Sequence, residues 1–243
     1  MKIKDSIILI TGAATRVGRE VALFFAEKGA HISFSYYMDD EPWQETKLAI
    51  EVFGVKCKAT KVEIRQKSQI DELVSDTVKE FGRIDILFNN ASVWLKTPFL
   101  QISESEWDLS LDVNLKGPFL CSQAVAPVML QQGSGVIINI TDLSAFQVWP
   151  GYAHHAASKA GLVALTKTLA YELAPQIRVN AIAPGTVLLP PNPAPEKVQW
   201  AVEKSVLKRV GSPTDVAQVA QLLIENDFIT GAVYHVDGGR SLV

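Results

Sequence analysis

Cysteine is scarce in this chain, with Cys57 and Cys121 the only two among 243 residues. They match no metal-ligand spacing and are too few for a disulfide framework. Both are expected to be reduced thiols in a cytoplasmic protein, and no metal site is anticipated. Long apolar runs are missing as well. Although 48% of the residues are hydrophobic, the apolar segments have the length of strands, short of the ~20 residues that span a bilayer. The first residues do not read as a secretory leader. A formal charge of −3 offers no basic surface for nucleic acid. Neither a membrane nor a nucleic acid is therefore expected as a partner. No linker-like stretch and no solenoid repeat interrupts the chain, so residues 1–243 are read as one domain around one large core.

What is present is an alternation of short β-rich runs with longer segments of helical periodicity. Residues 6–11, 31–36, 55–62, 84–89, 136–141, 177–182 and 232–236 read as strands. Residues 17–28, 68–81, 104–130, 152–173 and 214–225 carry apolar side chains at helical spacing. About seven strands separated by crossovers predict an α/β fold, a doubly wound parallel sheet with helices on both faces. Pro190, Pro191, Pro193 and Pro195 exclude a helix or a central strand over 186–195. That segment is expected to be a loop over the substrate site, followed by a helix near 196–206.

The segment Thr11-Gly12-Ala13-Ala14-Thr15-Arg16-Val17-Gly18 ends the first strand and opens the first helix. Gly12 permits a tight turn and close approach of backbone to a pyrophosphate. Gly18 permits close helix packing, and the helix amino end offers free N–H groups and a positive dipole. Such turns also occur without a nucleotide, so the rest of the chain must carry the assignment. Tyr152-Ala153-His154-His155-Ala156-Ala157-Ser158-Lys159 places residues 155 and 159 on one helix face. Together with Asn89-Asn90-Ala91-Ser92, Asp112-Val113-Asn114 and Pro184-Gly185-Thr186, these segments resemble the short-chain dehydrogenase/reductase family over essentially the whole chain. The resemblance implies a Rossmann-like NAD(P)(H)-dependent oxidoreductase. It also implies a homotetramer built through residues 104–130 and 152–173.

The same resemblance implies roles for individual residues. Lys159 would bind the nicotinamide ribose and lower the pKa of a neighbouring donor, and Asn114 would hold a water near it. The family's catalytic Tyr, four residues before the Lys, is His155 here, and its Ser, thirteen residues earlier, is Asp142. Gly12, Thr15, Arg16, Val17 and Gly18 would surround the pyrophosphate, with Arg16 replacing the middle glycine of the family's TGxxxGxG. Tyr36, Tyr37 and Val62 would meet the adenosine end. Asn90, Ala91 and Ser92 would line the adenosine and ribose channel, and Pro184, Gly185 and Thr186 would pack on the nicotinamide. Lys61-Val62 replaces the usual Asp-Val. Tyr36 stands where an NAD enzyme places an acid for the ribose 2′-OH. Met38 stands where pteridine reductases carry Arg, and Asp39 and Asp40 would repel a 2′-phosphate if turned inward. NADP(H) is the preferred cofactor on this reading, and NAD(H) stays open.

Arg16, Asp142, Trp94, Tyr152 and the tail 236–242 are similar to the pteridine and dihydromonapterin reductase branch. A pterin-like small-molecule substrate is implied, with Trp94 stacking on the ring, Trp149 and Tyr152 as pocket walls, and Arg16 meeting a carbonyl or the cofactor phosphate. The tail of that branch reaches toward a neighbouring subunit's active site, a role open here to Arg240 or the Val243 carboxylate. A free His has a pKa near 6.5, and beside Lys159 its cationic form is disfavoured. His155 would then donate one N–H, and the His or a protonated Asp142 would relay a proton to a C=N nitrogen, which suits imine chemistry better than a ketone. Tyr152, about 60° around the helix, is the rival donor. His154 is read as a bystander, and Trp43, Trp107 and Trp200 as packing residues. Two other functions stay open. One is a carbonyl or alcohol oxidoreductase of the same family. The other is a nucleotide-binding sensor or scaffold that lost its chemistry with the Tyr.

Overall fold

Seven strands and eight α-helices alternate along the computed structural model, which describes residues Met1–Val243. The strands are β1 (Ile7–Ile10), β2 (His31–Tyr36), β3 (Cys57–Lys61), β4 (Ile86–Asn89), β5 (Gly135–Ile140), β6 (Ile177–Pro184) and β7 (Val233–Val236). All pair in parallel, in the order β3-β2-β1-β4-β5-β6-β7. The helices are α1 (Arg16–Glu27), α2 (Trp43–Glu51), α3 (Lys67–Phe81), α4 (Glu104–Leu111), α5 (Gly117–Gln132), α6 (Ala153–Glu172), α7 (Pro195–Glu203) and α8 (Pro213–Glu225). This is the doubly wound, Rossmann-like architecture that the alternation implies.

β1 reads Ile-Ile-Leu-Ile and is buried throughout, because a parallel strand covered on both faces has no polar side to show. Alternate side chains feed two cores. Ile8 and Ile10 join Phe25 of α1 and Leu223 of α8 on one face. Leu9 joins Leu73 of α3 and Val125 and Met129 of α5 on the other. Strand order reverses at β1, with β2 on one side and β4 on the other. The two windings diverge there and leave a crevice at the strands' carboxyl ends.

Three elements depart from the sequence reading. Residues 104–130 are not one helix, because a π turn over Asp112–Lys116 separates α4 from α5. Pro118 has no N–H to give to the Asn114 carbonyl. The Gly117 N–H reaches back five residues to Asp112 O instead, a widening typical of functional positions. Helix α2 was not expected, since only Thr46 and Ile50 are buried in it and so few apolar contacts leave little periodicity to read. The helix after the prolines begins at Pro195 and ends at Glu203, short of residue 206. No helix is long and apolar enough to cross a membrane.

His154, read as a bystander, is fully buried in the first turn of α6, and neither ring nitrogen has a partner. Burial pulls its pKa below the usual 6.5, against the opposing pull of Glu106. The unfolded chain therefore binds a proton at a pH where the folded one does not, and stability drops as pH falls through 6.5. In urea titrations at pH 7.5 and 5.5, His154→Leu is expected to lose less stability between the two than the wild type. An equal loss would show that His154 does not contribute.

Candidate active site

The crevice is a cavity of about 1240 Å³ that runs from the glycine turn to the C-terminal segment. At its floor, Thr11 and Asn90 stitch β1 to β4. Thr11 Oγ1 accepts the N–H groups of Asn90 and Ala91, both at 3.0 Å, and Asn90 Nδ2 donates to Thr11 O at 2.9 Å and Gly12 O at 2.8 Å. Asn90 thus supports the turn as well as lining the channel. Thr15 caps α1 without a side-chain hydrogen bond, so the first N–H groups of the helix remain free for an anion. Arg16 adopts φ +56°, the left-handed backbone that a glycine would take at no cost. Its side chain, on the cavity wall, enters no ion pair with the protein.

The adenosine end holds a group that the sequence reading missed. Glu41 lies on the cavity wall, and its Oε1 accepts the N–H groups of Tyr37 at 2.9 Å and Met38 at 2.7 Å. Asp39, expected as a possible repeller, instead pairs with Lys61 at 2.6 Å. Arg65 pairs with Glu63. Tyr36, Tyr37 and Val62 line this end, as do Ser92, Pro184, Gly185 and Thr186 farther along. No local sequence rule marks Glu41, since only the return of the loop toward β2 brings it to those amides.

The catalytic candidates converge, but not as a row along the cavity. His155 is fully buried, and its Nε2 lies 2.6 Å from Asp142 Oδ2. Asp142, Lys159 and Tyr152 reach the cavity wall, whereas His155 and Asn114 do not. That corrects the expectation of an imidazole facing the substrate. Trp94 sets its ring edge-on to the imidazole, 4.5 Å between centroids. Ser144 donates to Asp142 Oδ1 through its N–H at 2.8 Å and through its hydroxyl. Burial opposes the charge on Asp142, but the His155 hydrogen bond, the Lys159 cation and Ser144 outweigh it and hold the carboxyl below its usual range. Asp142 is therefore a carboxylate at neutral pH, and the hydrogen in the 2.6 Å contact belongs to His155 Nε2. This overturns the protonated Asp142 considered from sequence.

The other ring nitrogen sits where it is satisfied in either protonation state. His155 Nδ1 lies 3.2 Å from both Asn114 Nδ2 and the Val93 carbonyl. Unprotonated, it accepts from Asn114; protonated, it donates to Val93. Asn114, placed in the π turn, also reaches Val93 O and Ser158 Oγ, both at 3.1 Å. Its amide therefore serves the imidazole more directly than it serves Lys159. Lys159 Nζ donates to the Ile140 carbonyl at 3.0 Å, which leaves two hydrogens to give. Burial lowers its pKa, with the Asp142 charge pulling the other way.

An aromatic wall completes the site. Trp94 lies 5.0 Å from Tyr152 and 5.4 Å from Trp149 between ring centroids, and Trp94 Nε1 donates to the Tyr152 hydroxyl at 3.2 Å. Trp200, read as packing, lines the cavity as well. Arg240, expected to reach toward a neighbouring subunit, folds into the cavity of its own chain.

A Cβ at Gly18 would stand 2.5 Å from Asn90 Nδ2 and 2.6 Å from the Gly12 carbonyl. Gly18→Ala is expected to cost about 1–3 kcal/mol by overpacking, read as a lower urea midpoint. An unchanged midpoint would mean that the turn relaxes freely.

The family model described as enoyl-(acyl carrier protein) reductase matches residues 12–241. A 3-oxoacyl-[acyl-carrier-protein] reductase FabG of Staphylococcus epidermidis is 37% identical, over 95% of this chain and 97% of that protein. The (2S)-[(R)-hydroxy(phenyl)methyl]succinyl-CoA dehydrogenase subunit BbsD of Thauera aromatica is 38% identical, over 100% and 99%. Among solved structures, a short-chain dehydrogenase from Bacillus anthracis superposes with a TM-score of 0.91 at 34% identity, covering 99% of this chain and 98% of that one. Levodione reductase does so with a TM-score of 0.91 at 28% identity, covering 99% of each. With the strand order, the glycine turn and the Lys159 site in place, the matches make this chain an oxidoreductase of the short-chain dehydrogenase/reductase family.

Proposed function

We propose that the protein is a nicotinamide-dependent reductase of a planar, pterin-like C=N bond, with its proton held by the Asp142–His155 pair. The observation that carries this reading is the 2.6 Å contact between a buried imidazole and a carboxylate on the cavity wall. A carbonyl under reduction develops negative charge on oxygen, which an adjacent carboxylate destabilises. A C=N nitrogen becomes cationic when protonated, and the same carboxylate stabilises it. The doubly protonated His155 releases its Nε2 proton through Asp142 Oδ2 to the substrate nitrogen, which leaves a neutral imidazole whose remaining hydrogen, on Nδ1, is donated to the Val93 carbonyl. Val93 and Asn114 keep the ring oriented.

The cavity fits a dinucleotide. Gly12 and Gly18 let the turn pack closely on Ala91 and Asn90, the open N–H groups of α1 and the Arg16 guanidinium would face the pyrophosphate, and Lys159 has hydrogens for the ribose hydroxyls. When bound, the nicotinamide supplies the hydride. NADP(H) is the preferred form, supported by Tyr36 in place of an acid at the end of β2. Glu41 opposes it, because its carboxylate occupies two N–H groups that a 2′-phosphate would use. We also take the assembly to be a homotetramer through α4, α5 and α6, supported by the apolar groove of Leu111, Leu115, Phe119 and Leu165 on that face.

A second reading is reduction of a carbonyl. It is favoured by the named reactions of the FabG relative and of levodione reductase, and by the Tyr152 phenol on the cavity wall. Steady-state oxidation of NADPH with dihydrobiopterin and dihydrofolate, against ketones and a 3-oxoacyl thioester, separates the two. Pterin turnover supports the first reading, and turnover of the carbonyl compounds alone replaces it with the second. A protein that binds NADPH and turns over none of these either acts on another substrate or is a nucleotide sensor or scaffold.

His155→Gln is expected to lower kcat at least 100-fold with NADPH affinity unchanged by fluorescence titration. Unaltered turnover would remove His155 from the proton path. Glu41→Gln removes the charge competing with the 2′-phosphate and is expected to tighten NADPH about 10-fold relative to NADH. An unchanged ratio would place the phosphate elsewhere.

A further inference from the structure

At the outer end of the cavity the C-terminal turn lays Arg240 between two indoles. The guanidinium carbon is 5.0 Å from the Trp149 ring centroid and 4.9 Å from that of Trp200. Nη1 donates to Thr186 Oγ1 at 2.8 Å, and the Arg240 carbonyl accepts from Gln147 Nε2 at 3.3 Å. The turn itself is tied down by the Asp237 carboxylate, which accepts the N–H groups of Gly239 at 2.9 Å and Ser241 at 2.8 Å. The guanidinium is thus positioned before any ligand arrives.

Its hydrogens are mostly unused. An Arg side chain has five N–H donors, and one of them is taken, by Thr186. No carboxylate pairs with it. Asp237 is engaged with its own turn, and Asp142 with His155 and Ser144. Burial works against the charge on Arg240, offset in part by Asp237 and Asp142 at longer range. Lys197 of α7 and Lys96 add two further cations to the cavity wall, and neither joins an ion pair. A half-buried guanidinium without a counter-ion is unfavourable until an anion meets it. A planar fork on aromatic faces matches a carboxylate with two parallel hydrogen bonds.

We propose that the substrate carries a carboxylate, bound by the Arg240 fork with Lys197 adding charge, while its planar part lies along Trp94, Trp149 and Tyr152 toward Asp142. This assigns to Arg240 a specificity role within the same site, and its orientation toward Asp142 rests on the reductase reading.

The test is calorimetric binding to the full-length protein loaded with NADP⁺, with two matched pairs of probes. One pair is pterin-6-carboxylate and 6-hydroxymethylpterin, and the other is phenylpyruvate and its methyl ester. In at least one pair the acid is expected to bind 10-fold or more tightly than its neutral partner. Arg240→Met should abolish that preference, and Arg240→Lys should restore only part of it, since an ammonium keeps the charge without the fork. Melting curves identify a variant that fails to fold, in which case the Arg240→Lys comparison decides. Equal binding within both pairs, no binding of either acid, or a preference that survives both substitutions would overturn the proposal. A preference for phenylpyruvate without pterin binding would uphold the carboxylate site and count against the pterin reading alone.

Discussion

The organisation of this protein depends on one constraint, the parallel pairing of β1 with β4 at the point where strand order reverses. Parallel strands need long crossovers, and the crossovers on either side of this pair wind in opposite directions along the sheet. The carboxyl ends of β1 and β4 therefore open onto a crevice instead of a covering helix. Thr11 and Asn90 hold that seam closed at its base with four hydrogen bonds. The glycine turn, the Asp142 segment after β5 and the Lys159 face of α6 all converge on the space above it.

Within that space the charges form a sequence of compensated and uncompensated groups. Arg65 is answered by Glu63, and Asp142 is answered by His155 and Lys159. Arg16 and Arg240, at opposite ends of the cavity, have no such answer. A site that binds a phosphorylated cofactor at one end and an anionic substrate at the other would leave these two cations free. On the proposed C=N reading the Asp142 carboxylate would have the opposite function, favouring positive charge on a reacting nitrogen. A phenol would instead favour an oxyanion.

The His155 position shows how a local motif can name a residue and misplace its action. Its spacing from Lys159 correctly puts both on α6. Its surroundings come from elsewhere in the chain: Asn114 lies 41 residues away and Val93 62 residues away. Trp94 then packs edge-on against the ring. Asn114 reaches the ring because the π turn widens the helix at that point. Periodicity cannot register that widening, since it spans little more than one turn.

The sequence by itself determined the architecture, because parallel strands and amphipathic helices are written in short-range apolar periodicity. It also determined the glycine turn, whose geometry depends on single residues lacking a side chain, and the Lys159 helix face. The tertiary structure alone decided that Asp142, not His155, meets the cavity, that Glu41 occupies the Tyr37 and Met38 amides, and that Arg240 lies in the cavity of its own chain. Those outcomes depend on which hydrogen-bond donor finds which acceptor. For Arg240 that is settled by segments brought together from distant parts of the chain, and for Glu41 by the conformation of a loop only three to four residues long, and in neither does a repeating pattern carry the information.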